Sequence, residues 1–176
     1  MAGGTHHAFY DAGAGYCVFN DLAIVALQAL ESPGIDRVLI LDLDVHKGDG
    51  TAAMFRHHPM VHTVSMHGET NFPFRKQQSD WDLGLPNGTG DTDYLKILQQ
   101  VLGDLESQPV QLLLYQAGVD PLAEDHLGHL NLTRSGLDVR NRMVFEWADR
   151  LGLPVVVFMG GGYATPIERS VDAFTD

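Results

Sequence analysis

Four short runs constrain this chain more than any other feature: RVLILDLD, MVHTVSMHG, PVQLLLYQAG and PVVVFMGGG. Each is apolar almost throughout, and the segments between them carry apolar residues at helical spacing. A strand without apolar–polar alternation is buried on both faces, and such strands separated by helices build a parallel sheet with helices on each side. The expected class is α/β, a three-layer α/β/α arrangement with a mostly parallel sheet. At 176 residues and 44% hydrophobic, the chain is long enough for one packed core and too short for two, so residues 1–176 read as a single domain.

Helices are expected in NDLAIVALQALES, where Asn20 is the N-cap candidate, and in GTAAMFRHH. Two longer ones are expected in DTDYLKILQQVLGDLES, opening on an aspartate cap, and TRSGLDVRNRMVFEWADRLG. PIERSVDAFTD reads as a final helix. ETNFPFRKQQSDWDLGLPNGTG reads as a long, aromatic loop of the kind that carries function.

In open parallel sheets, ligands bind beyond the carboxyl ends of the strands. Here the first run leads into Asp42, Asp44 and His46, and the second into His67. The third leads into Asp120 and Asp125, and the fourth into Gly160 to Tyr163. Residues two apart on a strand point to one face, so Asp42, Asp44 and His46 converge. Two buried carboxylates and an imidazole repel and desolvate one another unless a cation sits among them. A calcium loop also opens D-x-D, but the glycine is not at its sixth position, and Ala53 stands where the last acidic ligand belongs. A solvated acidic turn is disfavoured by the buried run before it.

A three-ligand site with an open fourth position needs one more acid, and either Asp120 or Asp125 would serve. The residue types do not choose between them, although Asp120, before Pro121, also reads as a helix cap. His6 and His7 are adjacent after two glycines. Asp42 and Asp49 are acids able to orient one imidazole each, leaving the other ring nitrogen free for general-base work. In MGGGYA, Tyr163 is presented by a glycine turn from which a phenol can donate to a developing oxyanion. Neither G-x-G-x-x-G nor a P-loop lysine is present, which disfavours phosphate there. Cys17 reads as buried packing, and His57 and His58 as surface residues.

The net charge of −12 argues against direct nucleic-acid binding and favours cationic partners such as lysine-rich peptides or polyamines. No apolar run reaches membrane-spanning length. One cysteine cannot form an internal disulfide, so a reducing cytoplasm is the expected location.

In this order, GGTHHAF, GYCVFND, LDLDVHKGDGT, VSMHGETNFPF, QAGVDPLAEDHLG and MGGGY resemble the zinc-dependent histone deacetylase superfamily, with its arginase–deacetylase fold. Lys47, where many members carry a second histidine, and the NFPFRKQQSD loop resemble the bacterial and class IV branch. The resemblance implies that Asp44, His46 and Asp125 ligate zinc. It implies that His6 and His7 are the tandem histidines, His7 being the general base and then acid, with Asp42 and Asp49 behind them. It also implies that Tyr163 polarises the acyl carbonyl and that Gly15, Tyr16 and Phe72 line an acyl-lysine channel. Asp42, Asp44, His46 and Ser65 match a structural potassium site of relatives.

The activity implied is hydrolysis of an acetyl or longer acyl group from the ε-amine of lysine, on a peptide, a protein or a related amine. An acetylpolyamine amidohydrolase and a non-catalytic acyl-lysine-binding module are the alternatives. A binuclear ureohydrolase is disfavoured, because its paired D-A-H-x-D and D-x-D-x-x-D motifs are absent. The family pattern places further strands and an acidic rim loop before the tandem histidines. On that comparison the chain is expected to be a partial domain whose sheet has an exposed edge.

Overall fold

The computed structural model describes residues 4–175. Five strands form one sheet: β1 (Val38–Asp42), β2 (Val61–Gly68), β3 (Trp81–Leu85), β4 (Leu112–Gln116) and β5 (Val155–Phe158). All pair in parallel, in the order β3-β2-β1-β4-β5. The helices are α1 (Asp21–Leu30), α2 (Asp49–Phe55), α3 (Asp91–Leu105), α4 (Arg134–Arg150) and α5 (Glu168–Thr175).

β1 is buried over its whole length, and its side chains serve two cores in alternation. Leu39 and Leu41 pack with Tyr94, Leu98, Val144 and Trp147 of α3 and α4. Val38 and Ile40 pack with Leu22, Ala26 and Phe55 of α1 and α2. Helices therefore cover both faces, which gives the three layers expected. Each fully buried aliphatic side chain contributes roughly 1.5–3 kcal/mol relative to exposure.

The strand order also positions the site. From β1 the chain works outward through β2 and β3, then crosses back to place β4 and β5 on the other side. Loops leaving β1 and β4 consequently diverge and open a crevice between them. In register, Asp42 at the end of β1 lies beside Ser65 of β2 and Gln116 of β4.

Local chemistry fixes several boundaries. Asn20 caps α1, its Oδ1 accepting the Ala23 N–H at 2.9 Å, as expected. Thr133 caps α4, its Oγ1 accepting from the Gly136 N–H at 3.0 Å. The aspartate cap expected for α3 is not formed. Gly90 holds that position, and the Asp91 carboxylate instead accepts from the Thr133 N–H and hydroxyl, at 2.8 and 2.6 Å.

The segment expected to be one long loop contains β3. Trp81, Leu83 and Leu85 turn inward between the exposed Asp82 and Gly84, the alternation of a half-exposed outer strand. At the other side of the sheet, Val156 and Val157 of β5 are exposed. No helix among the described residues is long and apolar enough to cross a membrane.

Candidate active site

β1 stops at Asp42, so Asp44 and His46 stand in the turn beyond it rather than on the strand itself. That turn is held by its own acids. The Asp42 Oδ1 accepts from the Asp44 N–H at 3.1 Å, and the Asp44 Oδ1 from the His46 N–H at 2.9 Å. From the turn after β4, the Asp120 Oδ1 accepts from the Val45 N–H at 2.9 Å. The His46 Nδ1 then lies 3.1 Å from the Asp44 Oδ1 and 3.0 Å from the Asp120 Oδ2. All three side chains are buried, and one ligand atom from each lies within 4.8 Å of the others.

The electrostatics of this trio would suit a bound cation. Burial and the neighbouring Asp44 push the Asp120 carboxyl upward. Burial would also raise Asp44, but His6, His46 and the Gly161 N–H outweigh it and hold that carboxyl far below the usual range. Burial disfavours an imidazolium at His46, yet Asp120 and Asp44 lift it to about 10. Two carboxylates and an imidazole that compete for a proton in a buried space suit a divalent ion with nitrogen and oxygen ligands.

Asp125, expected as the third ligand, is held by backbone N–H groups. Its Oδ1 accepts from the Leu127 and Gly128 N–H groups, at 2.9 and 2.8 Å, and its Oδ2 from the Tyr163 N–H at 2.6 Å. It thereby ties the Leu127 loop to the Tyr163 loop. Asp120 is the acid that meets Asp44 and His46, and no helix begins at it, which corrects its reading as a cap. Asp120 is four residues past β4, while Asp125 is nine past and beyond Pro121.

His6 and His7 lie in the segment before α1, which is fastened from three directions. The Asp21 carboxylate accepts from the Gly4 and Thr5 N–H groups. The Asn20 Nδ2 donates to the Ala8 carbonyl at 3.0 Å, and the Thr51 N–H to the His6 carbonyl at 3.1 Å. The His6 Nδ1 lies 2.7 Å from the Asp42 Oδ2, and the His7 Nδ1 2.7 Å from the Asp49 Oδ1. The two buried imidazoles are tuned in opposite directions. Burial depresses both, but Asp42 and Asp44 lift His6 to about 9. At His7 burial prevails over Asp49, helped by the neighbouring His6, and the ring is held below its ordinary value.

A cavity of about 430 Å³ opens onto these groups, with His7, His46, Phe72, Leu127, His129 and Tyr163 in its wall. Phe72 stands edge-on to His7, with ring centroids 4.9 Å apart. A Cβ on Gly15, whose φ is +51°, would fall 2.4 Å from the His7 ring, so only glycine lets this wall approach. Tyr16 lies at the rim, 90% exposed. Gly161 explains part of the glycine turn. Its N–H donates to the Asp44 Oδ2 at 2.7 Å, and a Cβ there would fall 2.1 Å from the Asp120 Oδ2. Burial, then Asp44 and Asp120, push the Tyr163 phenol up to about 12, so it stays protonated at neutral pH.

Three further residues make specific contacts. The Ser65 hydroxyl lies 3.0 Å from the His67 Nδ1. His58 is half-buried against Phe55 rather than on the surface. The buried Asn71 donates to the Leu127 carbonyl at 2.7 Å and accepts from the His129 N–H at 3.2 Å, tying the cavity wall to the end of β2. Cys17 is buried, and burial raises its thiol, consistent with packing.

The histone deacetylase domain family matches residues 1–176. An uncharacterized protein of Picosynechococcus sp. is 52% identical over 172 residues, covering 97% of this chain and 57% of the relative. Histone deacetylase 2 of Arabidopsis thaliana is 32% identical, over 97% of this chain and 45% of its own length. Histone deacetylase 8 of Xenopus laevis is 34% identical, over 93% and 53%. The crystal structure of a histone deacetylase homologue from Aquifex aeolicus superposes with a TM-score of 0.81 at 30% identity, covering 98% of this chain and 49% of the other. The chain thus has the α/β arginase–deacetylase type of fold and spans about half the length of the relatives it matches.

Proposed function

This chain belongs to the histone deacetylase family, and from that premise we propose that it is the zinc-bearing portion of an amidohydrolase that removes acetyl or longer acyl groups from lysine or a related amine. The observation that carries the reading is the buried Asp44–His46–Asp120 trio, whose His46 lines an apolar-walled cavity together with His7 and Tyr163. Asp44, His46 and Asp120 would hold the ion. A zinc ion bound there supplies Lewis acidity, acidifying water toward a pKa of about 7 and polarising the acyl oxygen.

The chain's own groups divide the remaining work. His7, held neutral, accepts the proton of the attacking water and later returns it to the departing amine. Asp49, on the far ring nitrogen, fixes the orientation of that imidazole. His6, held cationic by Asp42 and Asp44, sets a positive charge beside it. Tyr163 keeps its phenol proton and donates it as a hydrogen bond to the oxyanion. Gly15, Tyr16 and Phe72 line the passage for the acyl-bearing side chain. A reducing cytoplasm and a cationic peptide or amine partner suit the lone cysteine and the charge of −12.

The test is acetate release from an acetyl-lysine peptide and from acetylputrescine, with zinc content measured on the same sample. We expect release from at least one substrate. Tyr163→Phe should retain the metal while turnover drops by about 10²–10³-fold. Metal-loaded protein with no release from either substrate would argue for a binding module instead. Unchanged turnover in Tyr163→Phe would remove the phenol from the mechanism.

A further inference from the structure

Helix α4 turns Gly136, Leu137, Arg140, Val144, Trp147 and Ala148 inward, which places an arginine in the middle of an apolar stripe. Arg140 is fully buried. Its hydrogen bonds all end on neutral oxygens. Nη1 donates to the Gly118 carbonyl at 2.7 Å and the Leu43 carbonyl at 3.3 Å, and Nη2 to the Ala117 carbonyl at 3.3 Å. Nε and Nη2 also donate to the Asn141 Oδ1, at 3.1 and 2.9 Å, and that oxygen accepts from the Tyr115 hydroxyl as well. A buried guanidinium is costly, and an apolar residue would fill this stripe without that cost.

What the guanidinium grips gives it a role. Leu43 immediately precedes Asp44, and Gly118 lies two residues before Asp120. The single Nη1 group therefore joins the backbones of the two turns that carry the candidate ligands, one leaving β1 and the other leaving β4. A planar fork reaches across two strands in this way, whereas a lysine ammonium is a point donor.

We infer that Arg140 is a positioning residue which, through the Leu43 and Gly118 carbonyls, holds the Asp44–His46 turn and the Asp120 turn at the spacing a divalent ion requires. The inference rests on the metal reading above. Groups behind the ligands of a metal site typically change affinity 10–100-fold when altered.

Cobalt(II) is the probe, because its visible absorption reports ligand geometry without turnover. Titrations of the wild-type chain, Arg140→Lys, Arg140→Met and Asn141→Leu are compared with thermal unfolding of each metal-free protein. We expect both Arg140 variants to bind cobalt at least about tenfold more weakly with an altered band, and Asn141→Leu to shift both readouts in the same direction by less. A purely structural arginine would lower the unfolding temperature and leave affinity and band at wild-type values, which would overturn the inference. Should Arg140→Met not fold, Arg140→Lys and Asn141→Leu decide on the same readouts. No cobalt uptake by the wild-type chain would sink the metal reading and this inference together. Uptake by the wild type with unchanged variants would sink only the inference.

Discussion

Asp120 and Asp125 lie on the same turn-rich segment, yet their carboxylates meet different partners. The first reaches His46 with one oxygen and holds the Val45 N–H with the other. The second spends its oxygens on three backbone N–H groups and binds the Tyr163 loop to the Leu127 loop. Asp120→Asn should therefore reduce zinc affinity by at least about a hundredfold, the upper end of what altering a group behind a ligand costs. Asp125→Asn should leave zinc uptake intact and loosen the cavity wall. Elemental analysis of both variants after dialysis against a chelator checks this, and metal loss from Asp125→Asn alone would reverse the assignment. Much of the site was legible from residue types, because carboxylate and imidazole pairs past buried runs have few other uses. Asp42, Asp49, His6 and His7 were legible in that way. Residue types alone do not decide which of two nearby aspartates is a ligand, since that depends on where β4 ends and how the chain turns at Pro121.

Elements place these residues, and the sequence pattern resolves the elements unevenly. Strands buried on both faces announce themselves as unbroken apolar runs, so β1, β2 and β4 were readable; β5 carries the same kind of run although Val156 and Val157 are exposed. β3 was not readable, because an outer strand with one wet face spreads three apolar residues over five and resembles a loop. β2 carries a further consequence of burial. His67 sits at its inner end, 3% exposed, where burial and then the nearby Lys47 hold its imidazole down at about 4. Lys47 itself is buried and paired to Asp82 at 2.7 Å and to Ser79. With an ordinary value of 6.5 in the unfolded chain, the unfolded state binds more protons between pH 6.5 and about 4. Stability from this group is thus complete above pH 6.5 and is lost as pH falls toward 4, by about 3 kcal/mol at most. His67→Gln should flatten that part of the stability curve relative to the wild type. Urea unfolding at pH 7, 5.5 and 4.5 measures it, and parallel curves for the two proteins would refute it.

At the scale of the whole molecule, the site is a knot between distant parts of one chain. His6 and His7 come from before α1, Asp44 and His46 from beyond β1, Asp120 from beyond β4, and Tyr163 from beyond β5. The unfolded chain disperses these groups, so an ion that binds the trio stabilises the folded state by mass action. The folded protein also concentrates Asp42, Asp44 and Asp120 in one buried region of a chain already at −12. A divalent ion relieves that repulsion where monovalent salt, screened out of the interior, does not. At a free zinc concentration one hundred times the dissociation constant, the gain is about 2.7 kcal/mol. For a chain of this size, that corresponds to a rise of about 5–10 °C in the unfolding midpoint. A chelator should remove the rise, equal ionic strength from sodium chloride should not reproduce it, and Asp120→Asn should show little of it. A zinc-induced rise of equal size in Asp120→Asn would mean that the ion acts on exposed groups. The divergent turns after β1 and β4 would then meet for some purpose other than holding a metal.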